Sequence, residues 1–217
     1  MAGQVERKQT LKEEFANTLT HLIGILFSIV AISLLVVFSV LNGTAMHVVS
    51  CCIFGATMLL LYTSSTLYHA IQSTELKPLL RSIDHISIYF LISGTYTPLL
   101  LLGLGGTLGW VYFGIVWTIT VFGLVFKIFF IGRFEKLSLL LYLCMGWMAL
   151  LLIKPLVANL STEIIYLIAA GGLTYTLGTI FYANKKMLYA HAIWHVFVLG
   201  GTVLHFIAIV FLITSEN

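Results

Sequence analysis

Long apolar stretches separated by short polar knots set the pattern of this chain. No Asp, Glu, Lys or Arg occurs in residues 15–74, 85–126, 137–153, 164–184 or 187–215. A helix crossing the hydrocarbon core of a bilayer needs about 20 mostly apolar residues. The first two stretches are long enough for two crossings each and the last three for one, which predicts seven. Asn42-Gly43 divides the first stretch and Gly103-Leu104-Gly105-Gly106 the second, both being turn-forming sequences. The expected spans are 18–41, 46–70, 83–103, 107–130, 137–157, 163–183 and 190–213, with Lys154-Pro155 interrupting the fifth near one end.

Composition agrees with this pattern and removes the alternatives. The chain is 60% hydrophobic and 9% charged, with a mean hydropathy of +1.06. An ordinary soluble domain carries about 25% charged residues, so a soluble enzyme and a disordered chain are both excluded. An outer-membrane barrel would alternate apolar and polar positions along each strand instead of showing unbroken apolar runs. The expected fold class is an all-α integral membrane protein, a seven-transmembrane helix bundle. Residues 1–217 read as one membrane domain, with 1–17 as a tail and no convincing internal repeat.

The cationic residues orient the bundle, because Lys and Arg collect in cytoplasmic loops. Arg7, Lys8 and Lys12 precede the first span, and Lys77 and Arg81 follow the second. Lys127, Arg133 and Lys136 flank the loop after the fourth, and Lys185 and Lys186 follow the sixth; only Lys154 falls on the other side. The amino terminus is expected in the cytoplasm and the carboxyl terminus outside. The charged tail lacks the features of a cleaved signal peptide, so the first span is expected to act as an uncleaved one in a multi-pass protein of the cell membrane. The net charge of +3 reflects this bias and carries no argument for nucleic acid. Cys51, Cys52 and Cys144 fall inside expected spans and read as small buried apolar residues, supporting neither a disulfide framework nor a cysteine zinc site.

Ionisable side chains within spans are costly and are candidates for function. His191 and His195 stand four apart at the start of the seventh span, so they share one helix face and can address one metal ion. Taken alone, the pair reads equally well as two polar residues at an interfacial helix end. His69 closes the second span on the same side, Ser65 lies four residues before it, and Asp84 opens the third span. Three histidines, one aspartate and one serine thus gather at the inner edge of the bilayer, as a metal site or as a structural hydrogen-bond network. Three imidazoles leave tetrahedral Zn2+ one open position, the pattern of a catalytic site. Asp84 could then hold or deprotonate a water, or orient a histidine, and Ser65 could hydrogen-bond the water or an oxyanion. The alternative for Ser65 is a back-bond to a helical carbonyl. His205 lies about 15 Å further along the seventh helix, at 1.5 Å per residue, and is expected to make a buried hydrogen bond. His47 falls on the outer side. His85 points elsewhere on its helix than Asp84, with a structural role, and His21, which begins the first span on the same side, reads either as a neighbour of the site or, in preference, as a hydrogen-bonding residue at a helix end.

Three separated patterns resemble the hemolysin III family, the bacterial branch of the progestin and adipoQ receptor superfamily. Glu14, Asn17, Thr20 and His21 are similar to the family's Glu-x-x-Asn-x-x-Thr-His. Ser65-x-x-x-His69 followed by Asp84, and His191-x-x-x-His195, are similar to its other two motifs. The resemblance spans nearly the whole chain. It implies a zinc ion held by His69, His191 and His195, with Asp84 and Ser65 near a metal-bound water. It also implies kinship with membrane ceramidases, hence a membrane-lipid substrate cleaved at an amide or ester bond, and a link to lipid homeostasis. The family's name implies a cytolytic, pore-forming alternative; a receptor or regulator with structural zinc is a third reading.

Overall fold

The computed structural model describes residues 9–130 and 134–215. Arg7, Lys8 and Arg133, used above for orientation, lie outside the described residues. The described residues form helices and no strand. Seven helices are long and apolar enough to cross a membrane: α1 (Leu11–Asn42), α2 (Ala45–Ala70), α3 (Lys77–Leu104), α4 (Gly106–Phe130), α5 (Glu135–Asn159), α6 (Thr162–Ala183) and α7 (Ala190–Thr214).

Helix α1 starts at Leu11, well before the apolar stretch begins, because a capping box nucleates it. The Thr10 hydroxyl accepts from the Glu13 backbone N–H, and the Glu13 carboxylate accepts from the Thr10 N–H at 2.9 Å. Its buried stripe is Glu13, Asn17, His21, Gly24, Ser28, Ala31, Leu35 and Ser39, while Leu11, Phe15, Leu26 and Leu41 face outward. The polar and small side chains are inside and the large apolar ones outside. Lipid is as apolar as leucine, so helix association in a membrane rests on close packing and interhelical hydrogen bonds. Gly24 follows this rule, since a Cβ there would collide with the Tyr62 ring of α2.

Helix α3 is the most enclosed, with 67% of its apolar window buried against 22% in α4 and 17% in α5. It packs on α2 and α4, and its last turn, Leu99–Leu104, widens into a π-helix just after Pro98. The reversal into α4 falls on Gly105 and Gly106, both at positive φ, where a residue without a Cβ is favoured. In α5 the turn Trp147–Leu152 tightens to a 3-10 helix ahead of Pro155. Proline donates no N–H and its ring crowds the carbonyl four residues earlier, which here belongs to Leu151. Helices α6 and α7 pack closely, with Gly171 under His205 and Gly178 under Trp194 and Phe197.

The start of α1, the end of α2 and the starts of α3, α5 and α7 meet at one end of the bundle. Ion pairs tie them there: Lys77 with Glu14 at 3.3 Å, Arg81 with Glu135, and Lys185 with Glu135 at 3.9 Å. Between α3, α5, α6 and α7 a cavity runs from this end into the bundle, with His195 and Asp84 among its lining residues and Leu99, Leu156 and His205 further along.

Candidate metal centre

Each member of the cluster is delivered by an ordinary helical element. His69 comes from the last turn of α2, whose chain then leaves as an extended loop. His191 and His195 lie one turn apart at the start of α7. That start is set by Tyr189, a non-glycine residue at φ 57. Such a conformation costs on the order of 1–3 kcal/mol and persists only where surrounding structure holds it. Here the Tyr189 N–H donates to the Glu13 carboxylate of α1 at 3.0 Å.

The structure brings His69, His191 and His195 together. Each offers a ring nitrogen within 4.8 Å of the others, and the ring centroids are 4.6 to 5.1 Å apart. His69 Nδ1 donates to Glu14 Oε2 at 2.6 Å, and its Nε2 is buried with no hydrogen-bond partner. His195 Nδ1 donates to the Asn17 carbonyl at 3.2 Å, with the Thr20 hydroxyl at 3.1 Å. The Thr20 hydroxyl gives its own proton to the carbonyls of Ala16 and Asn17. With Nδ1 held as the donor, each of these imidazoles keeps its lone pair on Nε2, as a metal-ligating histidine requires. An orphaned buried nitrogen is costly unless something accepts its lone pair. The donor set, three nitrogens with two fixed from behind, fits Zn2+, which takes imidazole nitrogen at about 2.0–2.1 Å.

Asp84 and Ser65 are both buried and line the cavity together with His191, His195 and His21. The polar neighbours of the Asp84 carboxyl are His69, Ser65 and Arg81. The Ser65 hydroxyl makes no hydrogen bond of normal geometry, to a helical carbonyl or otherwise. Its polar neighbour is the Asp84 carboxyl, and the back-bond considered for it does not form. His47 sits at the opposite end, accepting from the Thr44 N–H at the start of α2. His85 Nδ1 lies 3.4 Å from the ammonium of Lys127, which is itself buried, and the His85 carbonyl accepts from the Tyr142 hydroxyl. His205 makes the buried hydrogen bond expected of it, to the Ile168 carbonyl at 3.2 Å.

Of the two readings of His21, the structure corrects the preferred one, the helix end, and shows the other, a neighbour of the site. Because α1 begins at Leu11, His21 is nearly three turns inside the helix and has no free backbone groups to cap. Its ring instead stacks on His195, centroids 3.5 Å apart, and stands edge-on to Tyr62. Both its nitrogens are without a hydrogen-bond partner. Glu14, Asn17 and Thr20 had no role in the residue-by-residue reading beyond a motif match. Their spacing of three was the available signal: it puts them on one face of α1, and only the packing of α1 against α2 and α7 shows what that face touches.

A family model described as haemolysin-III related matches residues 9–206. Hemolysin-3 homolog of Bacillus subtilis is 51% identical, over 93% of this chain and 95% of its own. Hemolysin-3 of Bacillus cereus is 46% identical, over 94% and 93%. The human monocyte to macrophage differentiation factor is 30% identical, over 93% of this chain and 85% of its own.

Proposed function

The chain belongs to the haemolysin-III-related family of multi-pass membrane proteins, and from its buried histidine cluster we propose that it is a zinc-dependent hydrolase of lipid amide or ester bonds. The similarity to the human monocyte to macrophage differentiation factor links it to the wider progestin and adipoQ receptor superfamily. The observation that carries the enzymatic reading is a juxtaposition. Three histidines, two of them oriented by α1, adjoin a carboxylate and a neighbouring hydroxyl at the mouth of a mostly apolar cavity. We place this end at the cytoplasmic face of the cell membrane, because Lys12, Lys77, Arg81, Lys136, Lys185 and Lys186 belong to the segments that meet there. That is the level at which acyl carbonyls of membrane lipids reside.

His69, His191 and His195 would hold the ion. When bound, zinc supplies a Lewis acid that polarises a carbonyl and makes a water acidic near neutral pH. The protein's own groups do the remaining work. Asp84 hydrogen-bonds the attacking water, takes its proton and returns it to the leaving nitrogen or oxygen as the bond from that atom to the acyl carbon breaks, and the Ser65 hydroxyl donates to the oxygen on which negative charge develops. Glu14 and the Asn17 carbonyl hold the ligand rings. The cavity residues Ile88, Leu139, Leu143 and Val198 take the acyl chain and exclude bulk water. Turnover of lipid in the inner leaflet would connect the protein to membrane-lipid homeostasis.

Purified protein should contain about one zinc per chain and release fatty acid from a ceramide or lysophospholipid, with both properties lost on chelation and restored by zinc. Metal-free wild-type protein, or lipid turnover insensitive to chelation, overturns the reading. Two relatives carry the name hemolysin, which makes direct membrane lysis the second reading. The cavity's largely apolar lining favours a lipid over an ion path; sustained conductance in liposomes holding this protein alone would reverse that order.

A further inference from the structure

The cavity is not apolar along its whole length. His205 lines it, ten residues beyond His195 on α7, hence about 15 Å deeper. The residue is 9% exposed, its Nε2 faces the Ile168 carbonyl at 3.2 Å, and its Nδ1 is buried without a partner. A carbonyl only accepts, so Nε2 carries the proton and Nδ1 is left as a bare acceptor. The Nε2–Cδ2 edge of the ring lies against Gly171 of α6. Nδ1 is the ring vertex opposite that edge and therefore faces away from α6. The nearest polar ring, Tyr175 at 5.4 Å between centroids, cannot satisfy it, because the Tyr175 hydroxyl is bonded to Thr202 at 2.8 Å. On the helices other than α6, the cavity wall includes Leu99 of α3 and Leu156 of α5.

An unsatisfied acceptor in a mostly apolar wall is a costly arrangement for a ligand that offers it nothing. We propose that His205 is a specificity residue that selects acyl chains carrying a hydroxyl group midway along their length, through a hydrogen bond from that hydroxyl to Nδ1. Position follows from geometry. Carbon–carbon bonds of about 1.5 Å at near-tetrahedral angles advance an extended chain roughly 1.25 Å per carbon, so about 15 Å corresponds to about twelve carbons. A plain chain enters the same cavity but leaves Nδ1 unsatisfied. A hydroxyl beside the carbonyl is too far from His205 to reach it. The inference rests on the proposed use of this cavity for an acyl chain.

The test is displacement of a fluorescent fatty acid from the detergent-purified full chain by three competitors. These are stearate, hydroxystearate with its hydroxyl about twelve carbons from the carboxyl, and hydroxystearate with its hydroxyl beside the carboxyl. The mid-chain isomer should bind about 2- to 12-fold more tightly than either of the others, the range of one neutral hydrogen bond. His205→Phe, measured in the same micelles so that partition cancels, should erase that preference while still binding stearate. Equal affinity of the two hydroxy isomers for the wild type overturns the proposal without any variant. A preference that persists in folded His205→Phe also overturns it. If none of the three competes, the acyl-chain reading of the cavity fails and this inference fails with it, a result distinct from binding without discrimination.

Discussion

The corner where α1, α2 and α7 meet and the side formed by α5 are built on opposite principles. In α2 and α7, 44% of the apolar window is buried; in α5 the share is 17%. The corner is crossed by side-chain hydrogen bonds between residues far apart in sequence, such as Glu14 to His69, Asn17 to His195 and Tyr62 to Thr202. The α5 side is breached by a 3-10 turn, and leucines such as Leu140 and Leu151 point outward. The difference teaches a division of labour. Under the proposed function, ligand geometry must be held to fractions of an ångström by packed and hydrogen-bonded neighbours, whereas a cavity wall that is to admit a lipid has to yield.

The comparison is broken most severely at the corner. His69→Ala should remove zinc altogether, taking metal analysis from about one ion per chain to none, since two histidines on one helix turn do not make a tetrahedral site. Retention of stoichiometric metal would show that the cluster is not the site. Next in size, Asp84→Asn should keep the metal and lower lipid turnover by about 10²–10⁴-fold, the range of a lost general base. Wild-type turnover in that variant would remove Asp84 from the mechanism. Glu14→Gln should weaken zinc binding by about 10–100-fold in competition with a chelator, since it leaves the three ligands intact and alters only the carboxylate behind His69. Unchanged affinity would mean that the corner holds His69 without this carboxylate. The smallest effect belongs to the opposite side. Leu151→Ala, at a 72% exposed position, should leave metal content unchanged and stability within about 0.5 kcal/mol. A large loss of zinc there would erase the proposed difference between the two sides.

Much of the architecture was legible because each helix must satisfy its own backbone in lipid, so span number follows from where charges are missing. The glycine reversal at Gly105 and Gly106 and the irregularity before Pro155 follow from local chemistry in the same way. His21 shows where local reasoning ends. Counting its distance from the apolar stretch placed it at a helix end, but Thr10 and Glu13 start the helix earlier and carry His21 inside. Lys127 resembled a loop-flanking cation and is instead buried beside His85.

By itself the sequence determined the class, the seven crossings and a short roster of polar residues that lipid would not tolerate without a reason. It could not say which nitrogen of each histidine is tied down, because that depends on partners 50 or more residues away, such as Glu14 for His69 and Asn17 for His195. It set His205 apart from the cluster by its depth on α7, but could not say that one nitrogen of that ring meets the Ile168 carbonyl while the other is left without a partner. The reason is physical. Span formation depends on the transfer energy of neighbouring residues along the chain, whereas the role of an imidazole depends on which groups the packed helices bring to each of its two nitrogens.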